Sequence, residues 1–305
     1  MKVKYLFICA IAITIFTSCD KNSVVIENNE APEDESLIFN FHRFGGWTGL
    51  DEKLKITADS TFYSNEYYVQ TAGMTVKSQA AVKTSKEQWA YLTKTFDWET
   101  FTKIQNGFCA ACVDGIDVAF SVTKDDEIYS FFNGGGDEHF KQMQGFFDAI
   151  WMQASTFRMH FSPGSGCSSF LVYKIDRNHF YYYDTGIAVT GNREKLSLSE
   201  TEQTFDLSKT NVQDLNVEVK KLTSDSHGAY CDCVFEGEVL DTWTSVSGTV
   251  KIRIVQDYEG DPEAFEKIHT INVTLEDVVL QNDKGNTIVV NRMEFSNVTV
   301  GWLPG

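Results

Sequence analysis

Proline is scarce, with four in 305 residues, and neither an internal repeat nor a heptad is present, so the composition argues against disordered, collagen-like and low-complexity classes. Basic residues are also short. Lys and Arg number 26 against 43 Asp and Glu, a net charge of −17, which repels a phosphate backbone and argues against nucleic-acid binding. The six histidines are scattered, without an H-x-x-x-H pair, and no G-x-S-x-G or comparable nucleophile motif exists. No catalytic residue, metal set or cofactor motif is assigned, and the chain reads as a non-enzyme.

What is present is enough to fold. Apolar residues make up 42% of the chain and aromatics 13%, and the length suits about two compact units. The N-terminus carries an address. Lys2 and Lys4 precede an apolar run from Tyr5 to Phe16, which is shorter than the ~20 residues of a membrane-spanning helix and so reads as a signal peptide over residues 1–18.

The run Phe16-Thr17-Ser18-Cys19 resembles the lipobox of bacterial lipoproteins, which implies that Cys19 is diacylated and becomes the mature N-terminus. Processing there removes two lysines and takes the net charge to −19, so a lipid, not a basic patch, is expected to hold the chain at the membrane. Residues 19–36 are rich in Asp, Glu and Asn and form a flexible acidic tether. Acidic residues after the lipidated Cys accompany surface export in Bacteroides-type bacteria. That resemblance favours the outer membrane or cell surface over the inner membrane, although Asp20 directly after the Cys matches inner-membrane retention in enteric bacteria.

From Leu37 the pattern is that of a folded chain. Leu37, Phe39 and Phe41 alternate, as do Leu54, Ile56 and Ala58, predicting two antiparallel strands around Gly45-Gly46-Trp47-Thr48-Gly49. Strands follow at Thr61–Tyr68 and Met74–Lys83, a helix over 86–96 capped by Ser85, a hairpin over 116–132, and a helix starting at Asp137 with a stripe through Phe140, Met143, Phe147, Ile150 and Trp151. After Pro163 the runs are β-rich and no convincing helix appears; one turn over Pro262–Lys267 is the exception. The expected fold is therefore an α+β N-terminal domain over 37–157 followed by an all-β sandwich over 158–305.

The element order from 37 to about 151, with the motif Arg43-Phe44-Gly45-Gly46-Trp47-Thr48-Gly49, resembles the emfourins, small inhibitors of thermolysin-type metalloproteases. The resemblance covers about a third of the chain and implies that the loop enters a protease cleft. The C-terminal half resembles the β-sandwich lipoproteins of Bacteroides-type bacteria, which implies a fold and a location but no activity. Two readings of Trp47 stay open: folded back onto the core, or presented to a partner as a binding hot spot.

Five cysteines remain outside the signal and the lipid site: Cys109, Cys112, Cys167, Cys231 and Cys233. An odd number in an oxidising compartment leaves at least one unpaired or paired between molecules. Cys109 and Cys112 form a C-x-x-C for which a structural disulfide or free thiols lead, with zinc and redox chemistry as alternatives; Val113 in place of His excludes c-type haem. Gly134-Gly135-Gly136 before Asp137 is a turn and a helix cap. Asp257, Glu259, Asp261 and Glu263 alternate as in a calcium loop, but the Gly is misplaced, so an exposed acidic loop is the default. His179–Asp184 is a strand whose outward rings keep glycan binding open. The expected function is a lipid-anchored envelope protein that binds a protein or glycan; the alternative is inhibition of a thermolysin-type metalloprotease.

Overall fold

The computed structural model describes residues 36–46, 49–69, 73–113, 115–167, 170–176, 183–223, 230, 237–257 and 268–301. The signal peptide, Cys19 and the tether up to residue 35 lie outside them. Asp34–Gly305 is one compact unit.

The first sheet has six strands: β1 (Ile38–Gly45), β2 (Leu50–Ile56), β3 (Ser60–Val69), β4 (Met74–Lys83), β5 (Ile116–Lys124) and β6 (Glu127–Phe132). They are ordered β4-β3-β2-β1-β5-β6, with every pairing antiparallel. Alternation decides which face is covered: Phe39 and Phe41 on β1, Leu54 and Ile56 on β2, and Phe120 and Val122 on β5 turn to one side. Against that side pack α1 (Lys86–Thr95), α2 (Trp98–Phe101), α3 (Glu138–Gln142) and α4 (Gln144–Phe161). Ser85 caps α1 by accepting from Gln88 N–H, and Asp137 caps α3 by accepting from the N–H groups of His139 and Phe140.

The second sheet follows. Its strands are β7 (Ser165–Cys167), β8 (Leu171–Asp176), β9 (Tyr183–Gly191), β10 (Gln203–Asp206), β11 (Leu215–Thr223), β12 (Val239–Asp257), β13 (His269–Gln281) and β14 (Thr287–Val300), with one turn of helix, α5 (Arg193–Leu196), between β9 and β10. The order is β14-β13-β12-β11-β9-β8-β7, and β10 pairs beside β11 on the long β12. Curling brings the ends together: a Cβ on Gly166 of β7 would stand 2.5 Å from the Thr299 carbonyl of β14.

The expected α+β domain followed by a β-sandwich is not the architecture. The chain is mostly β, built from two antiparallel sheets of which one is a curled half-barrel. The physical reason is α4. It runs on to Phe161 and is buried nearly all round: Phe146, Phe147, Ile150, Trp151, Ala154 and Phe157 join the core of the first sheet, while Met152 and Met159 join the core of the second. One helix serves both sheets, and the second sheet closes around its own core without a facing sheet.

Candidate functional site

At one end of the first sheet three glycines shape the β1–β2 turn. Gly45, Gly46 and Gly49 have φ of +108°, +71° and +57°, and Gly49 N–H donates to the Gly46 carbonyl at 3.1 Å. A side chain at Gly45 is excluded twice over, since its Cβ would sit 2.7 Å from the Gly115 carbonyl and 2.9 Å from the Ala111 Cβ. The turn therefore lies directly on the loop that leads into β5. Trp47 and Thr48 lie outside the described residues.

That loop carries the C-x-x-C. Cys109 and Cys112 are disulfide-bonded, and Cys112 N–H donates to the Cys109 Sγ at 3.2 Å. Its backbone is fixed from beneath by Asp117, which is buried. One carboxylate oxygen of Asp117 accepts from Ala110 N–H at 2.7 Å, Ala111 N–H at 3.2 Å and the Asn133 amide at 2.6 Å. Asn133, held at a φ of +50°, also donates to the Phe108 carbonyl at 2.7 Å and accepts from Val118 N–H at 2.9 Å. On this pinned loop Phe108 and Val113 are 74% and 65% exposed, which is costly in apolar surface left in water.

Arg43 and Phe44 take opposite directions. Phe44 lies on the outer face with its ring 4.6 Å from that of His42, beside an Asp51 carboxylate bonded to His42 at 2.6 Å and to Lys53 at 2.6 Å. Burial pushes the Asp51 carboxyl up, but its bonds to Lys53 and His42 outweigh that and hold it below the usual range. Arg43 turns inward. It pairs with Glu52 at 2.7 Å, and Glu52 also accepts from Arg158 of α4 at 2.6 Å and from the Tyr63 hydroxyl at 2.8 Å. Arg158 reaches Asp176 of β8 at 2.8 Å, and the guanidinium carbons of Arg43 and Arg158 lie 5.9 and 4.9 Å from the centre of the Trp151 ring. Burial works to lower the Arg158 pKa, yet Asp176 and Glu52 hold it above its ordinary value; burial, and then Arg158, lower that of Arg43. This network ties the two sheets together and leaves the Arg43 guanidinium buried away from the surface turn.

The remaining cysteine positions divide. Cys167 is buried and disulfide-bonded, and Cys231 and Cys233 lie outside the described residues. Gly134–Gly136 is a short 3-10 turn ahead of Asp137. Most of His179–Asp184, the Pro262–Lys267 turn, and Glu259, Asp261 and Glu263 lie outside the described residues; Asp257 is bonded to His269. A polar groove of about 270 Å³ crosses the outer face of the second sheet, lined by Lys251, Arg253, Asn272, Thr274, Glu294 and Ser296. Among the described residues no three His, Cys, Asp or Glu converge as a metal site, and no helix is long and apolar enough to cross a membrane.

Asp117, Asn133 and Phe108 were not singled out by the sequence, and Val113 entered only as the residue that excludes haem. The first two act through partners 16 residues apart in the chain, and the others sit in a segment with no period. No family model matches the chain, and no curated protein matches it.

Proposed function

We propose that the chain is a lipid-anchored cell-envelope binding protein, non-enzymatic, that meets a protein partner through the loop end of the first sheet. One observation carries this reading: two large apolar side chains, Phe108 and Val113, stand exposed on a loop whose backbone is already fixed by Asp117, Asn133 and a disulfide. A pre-ordered loop loses little freedom on binding, and the exposed apolar surface is what a partner would cover. The contact favours protein over glycan, because both side chains offer apolar area and no hydrogen-bonding groups.

The polarity of the sheet supports the same reading. Ser36 donates to Asp125 in the β5–β6 turn, so the chain enters at the end of the sheet opposite the Gly45 turn. The contact loops thus lie at the far end of the sheet from residue 36, separated from it by the length of β1, about 25 Å.

The test is a photo-crosslinking side chain at position 108 in living cells, with position 62 on the exposed face of β3 as the control. A discrete crosslinked protein at 108 but not at 62, lost when Cys19→Ala releases the chain from the membrane fraction, is expected. Identical patterns at both positions, or a wild-type chain that takes up no lipid label, would overturn the reading. A second reading, inhibition of a thermolysin-type metalloprotease, is favoured by the narrow glycine turn seated on the rigid disulfide loop. It fails if micromolar chain leaves such proteases fully active.

A further inference from the structure

We infer that the Cys109–Cys112 disulfide is a reactive centre that oxidises dithiols of the bound partner by thiol–disulfide exchange. The inference rests on the same loop being the contact surface. Three observations carry it.

The loop does not depend on the bond for its shape. Asp117 holds the backbone N–H groups of both residues between the cysteines, Val113 and Gly115 N–H groups donate to the Ala110 carbonyl at 3.0 and 2.7 Å, and Asn133 holds the Phe108 carbonyl. Closing a ring with two residues between its cysteines also removes little chain entropy from the unfolded state. A disulfide with so little structural work differs from that of Cys167, which is buried in the curled sheet.

The two sulfurs are not equivalent. Cys112 is exposed and Cys109 is half-buried, so an incoming thiolate reaches the Cys112 Sγ first. The Cys109 Sγ already accepts the Cys112 N–H at 3.2 Å, a donor that stabilises charge on the sulfur that must leave. The negative Asp117 beneath the loop opposes that charge, but its shared oxygen is already bonded to three N–H donors. The rim is apolar as well. Phe108 and Val113 flank the two cysteines and would seat the surface around a partner cysteine.

The exchange balances as follows. A partner thiolate attacks the Cys112 Sγ, the S–S bond breaks, and its electron pair passes to the Cys109 Sγ. The mixed disulfide with Cys112 is then resolved by the partner's second thiolate, which expels the Cys112 sulfur. The partner loses two electrons and gains a disulfide; Cys109 and Cys112 become thiols and take up the two protons the partner thiols released.

The full chain in detergent is mixed with a dithiol peptide and, separately, with reduced glutathione, then quenched with an alkylating agent and mapped by mass spectrometry. Glutathione should appear on Cys112 with the alkyl group on Cys109, while Cys167 stays unmodified. The peptide should be oxidised about ten-fold faster per disulfide than by oxidised glutathione. Phe108→Ser with Val113→Ser should slow oxidation of the peptide more than reaction with glutathione. Glutathione on Cys109 instead, or a rate no faster than that of oxidised glutathione, overturns the inference. So does a Cys109→Ala, Cys112→Ala variant whose thermal midpoint falls by more than about 4 °C, since the bond would then be structural. Exchange that fails while crosslinking at position 108 persists removes this inference alone; loss of the crosslink removes the binding reading beneath it.

Discussion

Arg158 and Glu52 lie 106 residues apart in the chain and meet at 2.6 Å, joining α4 to the first sheet at a point where neither side chain is open to water. The same guanidinium holds Asp176 of the second sheet. Two arginines and two carboxylates, Arg43, Glu52, Arg158 and Asp176, make a cluster with balanced charge.

Glu52→Gln should therefore be severe. It leaves two buried guanidinium groups facing one remaining carboxylate, and breaking a buried pair from one side costs about 3 to 5 kcal/mol. Urea midpoints of the wild type and variant measure it. A loss below about 1 kcal/mol would show that the cluster is not the tie it is taken to be.

Lys174 of β8 gives a pH signature. Its side chain is buried, donates to the His160 carbonyl at 3.2 Å and lies 5.3 Å from the Phe295 ring, and burial lowers its pKa from 10.5 to about 8 against the opposing pull of Glu294. A lowered lysine pKa means that the unfolded chain binds more protons between these values. Stability then rises as pH increases from about 8 to 10.5, by up to about 3 kcal/mol, and the penalty is full at neutral pH. Lys174→Met should stabilise the protein at pH 7 and flatten its alkaline rise in chemical unfolding. A variant with an unchanged pH slope would sink the assignment.

Asp117→Ala should loosen the loop while sparing the sheets. Two backbone N–H groups and the Asn133 amide lose their acceptor, at a cost of about 1 to 3 kcal/mol. Hydrogen exchange at residues 108–113 should quicken while β1 and β5 remain protected. Equal loss of protection across the whole first sheet would mean that Asp117 supports the sheet, not the loop.

Dividing the chain after residue 157 should abolish cooperative folding of both pieces. Met152 stays with the first piece although its contacts are in the second core, and Arg158 is cut away from Glu52. Calorimetry on the intact chain should give one transition. Two fragments that each unfold cooperatively would show that α4 is dispensable to one sheet.

The strands of the first sheet were legible because period-two alternation runs through β1, β2 and β5, and Ser85 and Asp137 are readable helix caps. The direction of Arg43 was legible too: it continues the buried series Leu37, Phe39, Phe41, but the motif Arg43–Gly49 drew it toward the turn. The double role of α4 was hidden, because Met152, Ser155, Thr156 and Met159 do not read as a second apolar face. The first part of β12, Val239–Ser247, mixes polar and apolar residues and carries register shifts, so its alternation breaks. At the site, the three glycines announced their left-handed turn. Nothing local announces that Asp117 and Asn133 reach back to residues 108–111.

The position of β1 has a mechanical meaning. It lies between β2 and β5, paired antiparallel with each along its length, and the chain enters it next to residue 36. A pull between that entry and the 108–113 loop ahead of β5 runs parallel to the strands, so β1 must slide along β5 and the row of backbone bonds between them is loaded all at once. A pull across the strands would instead unzip that row one bond at a time. A molecule held at residue 36 and gripped at the disulfide loop would be loaded in shear, along the direction in which this sheet resists most.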